Sequence, residues 1–184
     1  EIVTALPVPL VDPTDVAATV LSATVLSQPV QTLDSLRAAR YDSLESAGVD
    51  VADSVELPLM EVRALLDLGD VVRADRKLEA LAERVGWRWR LVWFKAVSEL
   101  LTGDYHSATK RFTEVLDTFP GELAPKLALA ATAELAGTSD ERPFYETVWH
   151  TDNNIISSSF GLARAQSVEG DRESAVTTLD EVPV

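Results

Sequence analysis

Between Trp89 and Glu122 the apolar positions fall into two helical sets separated by Gly103. Before the glycine, Trp93, Ala96, Val97, Leu100 and Leu101 share one face. After it, Tyr105, Ala108, Phe112, Val115 and Phe119 step by three, four, three and four, which is helix spacing and not strand alternation. The pattern predicts two amphipathic helices joined by a tight turn. Asp104 is placed to cap the second by accepting from an orphan backbone N–H, and Pro120 ends it.

This unit is 34 residues long, and the length recurs. Gly69, Gly103 and Gly137 are 34 apart, and Gly170 follows 33 later. Five residues after three of these glycines stand Ala74, Ala108 and Ala175; nine after stand Leu78, Phe112 and Leu179; twelve after stand Leu81, Val115 and Val182. Ten before all four stand Leu59, Trp93, Leu127 and Phe160, and seven before stand Val62, Ala96, Ala130 and Ala163. A small residue lets two helices approach and the large one fills the space beside it. Several matches in register predict an all-α, TPR-like helical-hairpin solenoid, an α-α superhelix of stacked pairs. The third pair departs: Arg142, Glu146 and Trp149 stand where Ala, a large residue and Val would be expected. Pro143 and the polar run 138–142 predict a longer turn there, before a helix that buries Phe144, Val148 and Trp149.

The domain reading is a Pro-rich arm at 1–12, an N-terminal helical hairpin at 13–54, and repeats at 55–88, 89–122, 123–155 (degenerate) and 156–184 (truncated). Pro7, Pro9 and Pro13 disfavour helix in the arm. Its apolar residues Ile2, Val3, Leu6, Val8, Leu10 and Val11 predict that it lies against a surface. Asp12 or Thr14 is expected to cap a helix from about Pro13 to Ser27, with Val16, Ala17, Val20 and Leu21 inward. A second helix starting at Pro29 carries Val30, Leu33, Leu36 and Leu44. The chain opens at Glu1 without Met and its last repeat has no polar capping helix, so it is expected to be part of a longer protein.

Composition narrows the function. Hydrophobic residues make up 46% of the 184 and mean hydropathy is +0.05, enough for a core, and no apolar run reaches membrane-span length. There is no cysteine, which excludes disulfides, Cys zinc sites and thiol chemistry within this stretch. Sixteen basic against thirty acidic residues give a net charge of −14, a field that repels nucleic acid as a whole. His106 and His150 lack metal-ligand spacing. No phosphate loop, nucleophile elbow, zinc-helix motif or kinase landmark occurs. No catalytic residue, cofactor or metal is therefore expected.

One basic–aromatic cluster stands out, Trp87-Arg88-Trp89-Arg90-Leu91-Val92-Trp93-Phe94-Lys95. Between Val71 and Lys95 lie seven basic residues and three acidic. Arg stacks on indoles and forks onto carboxylates, so Arg88 and Arg90 are candidate partner-binding residues, against the reading in which the tryptophans are core and the arginines cover its edge. Arg63 and Arg164, each six residues before a repeat glycine, are further candidates, against plain solvated arginines. A clamp for C-terminal carboxylates would need Lys and Asn on these first helices, and no Asn accompanies the arginines. Alternatives to a docking module within a larger protein are a free-standing scaffold or adaptor, and a nucleic-acid-binding repeat using 71–95.

Continuous strings go further than the repeat. EIVTALPVPLVDPTDVAA, SVELPLMEVRALLDLGD, AERVGWRWRLVW and FTEVLDTFPGELAPKLALAATAELAG closely resemble the C-terminal region of the mycobacterial-type Ser/Thr protein kinase G family. That resemblance implies a non-catalytic linker and TPR region whose parent is an ATP-dependent phosphotransferase. It implies roles in self-association (dimerisation), in supporting the kinase domain with the arm against the kinase lobe, and in substrate docking. It also implies signalling to glutamate metabolism through a small FHA-domain substrate, a virulence role in host survival, and a cytoplasmic location with possible passage of the family into the host cell. The partners so implied are proteins: the kinase domain, its substrate and a second copy.

Overall fold

The computed structural model describes residues 6–22, 31–34 and 53–182. Among these, every regular element is helical: α1 (Ala18–Ser22), α2 (Glu56–Asp67), α3 (Val71–Val85), α4 (Trp89–Thr102), α5 (Tyr105–Thr118), α6 (Leu123–Ala136), α7 (Glu141–Thr151), α8 (Ile156–Val168) and α9 (Arg172–Asp180). Residues 31–34 are helical too. Most of the expected second helix of the 13–54 hairpin, with Val30, Leu36 and Leu44, lies outside the described residues, as do the arm residues 1–5 and the final 183–184. The chain divides into two compact units, Val8–Thr102 and, together with Glu1–Pro7, Gly103–Val184.

Gly-Asp pairs set the helix boundaries. After α2, Gly69 takes φ +75°, its N–H donates to Leu66 O and the Asp70 N–H donates to Leu65 O. This closes the helix with the paired bonds of a left-handed C-terminal cap. Asp70 then accepts at 3.2 Å from the Arg73 N–H and opens α3. A two-residue turn thus caps both helices at once. Gly170-Asp171 repeats the arrangement between α8 and α9, and Asp104 caps α5 through the Ser107 N–H, as expected from the sequence.

In the first unit α2 packs against α1, α3 and α4 and is buried nearly all round, through Leu57, Leu59, Met60, Val62, Ala64, Leu65 and Leu66. α3 is one-sided, burying Ala74, Leu78 and Leu81. Trp93, with Leu91, Val92, Phe94, Ala96 and Val97, is core on α4. In the second unit each helix from α5 to α9 packs on the next, and α6 also meets α8. Phe112 is completely buried beside Ala108 and Val115; sequestering such a ring stabilises by about 1.5–3 kcal/mol.

Four expectations change. The first N-terminal helix begins at Ala18, not Pro13, and Val16, expected inward, precedes it and is 48% exposed. Asp12 accepts from both the Thr14 N–H and hydroxyl, closing a local turn, and Asp15 accepts from the Ala17 N–H. In α7 the inward residues are Tyr145, Val148 and Trp149, whereas Phe144 is half-buried. The turn after Gly137 starts α7 four residues on, where the other second helices start two residues after their glycine, so the face is offset. In the fourth pair Phe160 is 49% exposed while Ser159 is buried in its place, and Leu179 is 41% exposed beside the buried Thr178. A one-residue slip turns a helical position by roughly 100°, which is enough to move a side chain from core to surface. Phe119 and Leu101, assigned to apolar stripes by spacing, stand at the solvent edge.

Candidate partner-binding surfaces

Arg88 and Arg90 come together in the first unit. Both line a cleft of about 260 Å³ with Asp12, Asp15, Asp53, Glu56 and Trp89. They stand there because α4 starts at Trp89, after the Gly86 turn at φ +67°. Their states differ. Arg88 is exposed, its Nη1 donating at 3.4 Å to the Trp87 carbonyl, and its neighbour Trp87 is 55% exposed. Arg90 is engaged by its own chain. Its Nε and Nη2 donate to the Leu10 carbonyl at 3.2 and 3.1 Å. It pairs with Glu56 at 3.3 Å and Asp12 at 3.8 Å, and its guanidinium lies 4.6 Å from the Trp89 ring centre.

The same cleft holds a capping device that local sequence does not reveal. The Asp15 carboxylate accepts from the N–H groups of Val55 (2.8 Å) and Glu56 (3.0 Å) and from the Ser54 hydroxyl (2.7 Å). It therefore serves the first turn of α2 from about forty residues upstream, while Ser54 Oγ accepts from the Leu57 N–H. Burial pushes the Asp15 carboxyl up, but bonds from Ser54, Glu56, Ala17 and Val55 together outweigh it and hold it below the ordinary value. Glu56 moves the other way: burial raises it, and the Arg90 charge offsets that only in part.

Arg63 lies on α2 and pairs with Asp67 one turn on, at 3.7 Å. Burial raises the Asp67 carboxyl despite that charge. Most of the other basic residues of 71–95 are also occupied: Arg73 with Asp70, Lys77 with Glu61, Lys95 with Asp75, and Arg84 on the Ser54 carbonyl.

Arg164, in the second unit, forks onto Glu134, with Nε to Oε1 at 2.5 Å and Nη2 to Oε2 at 2.9 Å. Glu134 Oε2 also accepts from the Tyr145 hydroxyl at 2.6 Å, so α6, α7 and α8 are joined by one polar group. Tyr145 is only 2% exposed, and its ring occupies the space above Gly161, where a Cβ would stand 2.7 Å from Cδ1 and closer still to Cε1 and Cζ. Burial raises the Glu134 carboxyl, but the bonds from Arg164 and Tyr145 and the Arg164 charge bring it below its ordinary value. The Tyr145 phenol is driven upward, first by burial and then by the neighbouring carboxylate. The available signal for this cluster was Gly161, a glycine inside a helical pattern, which commonly marks close approach.

Among the described residues no group of three or more His, Cys, Asp or Glu is arranged to hold a metal ion. Among the same residues no helix is long and apolar enough to cross a membrane.

Helix pairs closed by Gly-Asp turns, with small–large packing and arginines on their first helices, define a tetratricopeptide-type protein-interaction fold. The chain belongs to the family described as "Protein kinase G tetratricopeptide repeat", which it matches over residues 1–184. It is 76% identical to the serine/threonine-protein kinase PknG of Mycobacterium leprae (strain TN) and 75% identical to that of Mycolicibacterium smegmatis (strain ATCC 700084 / mc(2)155), over 183 residues in each case. Those alignments cover all of this chain and 24% of each relative, so the chain spans about a quarter of their length. Among solved structures it is similar to MamA 41-end from Desulfovibrio magneticus RS-1, with TM-score 0.64 and 15% identity, over 85% of this chain and 93% of that one. A MamA RS-1 ArsTM double mutant gives the same TM-score over 95% and 94%. At that identity the likeness is one of fold.

Proposed function

We propose that this chain is the non-catalytic docking and regulatory region of a Ser/Thr protein kinase. The observation that carries the reading is the whole-chain membership of a kinase-associated repeat family, in a chain whose described residues form paired helices. The roles proposed are substrate docking, support of the kinase domain and self-association, within the cytoplasm. A link to glutamate metabolism and a role in host survival extend the same proposal through the family resemblance. Arg88 is the proposed contact residue in the first unit because it is exposed beside Trp87, a pairing of residue types enriched at binding hot spots. Arg63, Arg90 and Arg164 are secondary contacts, since each would have to share or exchange a carboxylate it already holds.

The test is capture of the kinase's protein substrate by the full-length kinase with and without residues 1–184, with catalytic competence checked on a generic peptide. Loss of capture with peptide activity retained supports docking. Equal capture by both forms overturns it. The nucleic-acid alternative is disfavoured by the net charge of −14 and by the number of 71–95 cations already tied to the chain's own carboxylates and carbonyls.

A further inference from the structure

Residues 8–16 are held to the first unit chiefly by polar fasteners. The Leu10 side chain is 81% exposed, and Val8 and Val16 are exposed as well, so little apolar area secures the segment. Arg90, Asp15 and Glu56 hold it, the Glu56 carboxylate accepting from the Asp12 backbone N–H. Arg90, eighty positions away in sequence, grips the Leu10 carbonyl with two N–H groups and stands beside Asp12. Asp15 supplies the carboxylate that satisfies the first N–H groups of α2. The fasteners are joined beneath, because Glu56, whose N–H bonds to Asp15, carries the carboxylate that pairs with Arg90. Ser54 belongs to the same set: its hydroxyl donates to Asp15 and accepts from Leu57, and its carbonyl receives Arg84 from the end of α3.

We propose that residues 8–16 form a strap, and that its release and the fraying of the first turn of α2 are a single event. If the segment lifts away, the N–H groups of Val55 and Glu56 lose their acceptor and Arg90 loses the carbonyl it holds. If the turn of α2 frays, Asp15 loses its donors. Each half needs the other, which is the condition for a cooperative two-state element. Few apolar contacts oppose opening, so the open state lies well below global unfolding in free energy. In the open state the cleft around Arg88, Trp89 and Arg90 loses its wall of Asp12, Thr14 and Asp15. The strap is thus a built-in cover over the proposed contact residues of this unit, and the coupling itself does not depend on the docking reading.

Residue-resolved hydrogen exchange on the 184-residue chain tests this in two ways. In the unsubstituted chain, the Thr14, Ala17, Val55 and Glu56 amides should share one opening free energy and one dependence on low urea, both smaller than those of Ala64 within α2. In Arg90→Gln, all four amides should exchange about tenfold faster or more, the scale of losing hydrogen bonds to a charged group. Leu78 and Val97, buried in the same unit on α3 and α4, should be unchanged, which reports an intact fold of that unit, and Arg73→Gln, which removes an exposed pair, should alter none of the four. Acceleration of Thr14 and Ala17 alone overturns the coupling. So does exchange of Val55 and Glu56 together with Ala64 in the unsubstituted chain, a result that stands even where a variant fails to fold.

Discussion

Tyr145 is buried with a hydroxyl it must satisfy, and a buried unsatisfied hydroxyl costs about 1–3 kcal/mol. Glu134 meets that need, and Arg164 neutralises the carboxylate so introduced. Gly161 gives the ring its room. Gly161→Ala gains up to about 1 kcal/mol of helix propensity but drives a methyl into a ring backed by core, typically costing 1–3 kcal/mol. The expected result is a net loss of about 1–2 kcal/mol in unfolding free energy, read from urea denaturation, and relieved when Tyr145→Ala is added. The ionisation shifts give a second expectation with opposite signs at the two ends of the pH scale. The depressed Glu134 carboxyl contributes stability above its ordinary value of 4.5, lost as pH falls through the folded value. The raised Tyr145 phenol contributes stability below its ordinary value of 10.0, lost as pH climbs beyond it. An ultraviolet titration of the three tyrosines should show one that resists ionisation until the chain unfolds, absent in Tyr145→Phe. A Tyr145→Phe titration that retains the resistant component would contradict the network.

Among elements, the Gly-Asp turns carry the regularity. Asp70 accepts from the Arg73 N–H, whereas Asp140 in the longer turn before α7 makes no side-chain cap bond. Asp70→Ala should therefore cost about 1 kcal/mol, the usual value of an N-cap, and Asp140→Ala only a few tenths, read from thermal midpoints. Helix positions were legible because 34-residue spacing, glycine C-caps and aspartate N-caps all follow from local backbone chemistry. Faces were legible on the first helices of the first three pairs, where Leu59, Trp93 and Leu127 are buried as their shared offset from glycine implies. The lengthened turn at 138–140 breaks that ruler: the sequence shows that it is longer but not where α7 restarts. Phe144 was misplaced for this reason; Phe160 and Leu179 were misplaced although Gly170 keeps the two-residue turn, because the fourth pair buries Ser159 and Thr178 one position earlier. Asp15 escaped notice because its partners at Ser54, Val55 and Glu56 are distant in sequence and no local pattern links them.

At the scale of the molecule, charge and occupancy separate the functional readings. A chain at −14 whose basic stretch is largely neutralised internally should bind DNA or RNA weakly, without the steep salt dependence of a multi-phosphate contact. A filter-binding titration across salt checks this. Arg88 and Arg90, two residues apart, should behave as different kinds of residue. Arg88→Ala, at an exposed site, should leave stability within about 0.5 kcal/mol and, on the docking proposal, weaken capture of the protein substrate. Arg90→Ala should lower the stability of the first unit, because Glu56 would be left buried without its cation. Equal stability losses in the two variants would refute the distinction.

The linear order of residues by itself determined that the described regular elements are helical, where most of those helices begin and end, and that neither disulfide nor thiol chemistry is available within this sequence. These properties reside in spacing and caps, which act over a few residues. The folded arrangement decided which arginines are already spoken for, which aromatic rings face inward, and that a carboxylate near the start of the chain finishes a helix forty residues later. Such outcomes depend on where separate segments meet in space, and a one-residue change in turn length or a single distant hydrogen bond alters them while leaving the local pattern intact.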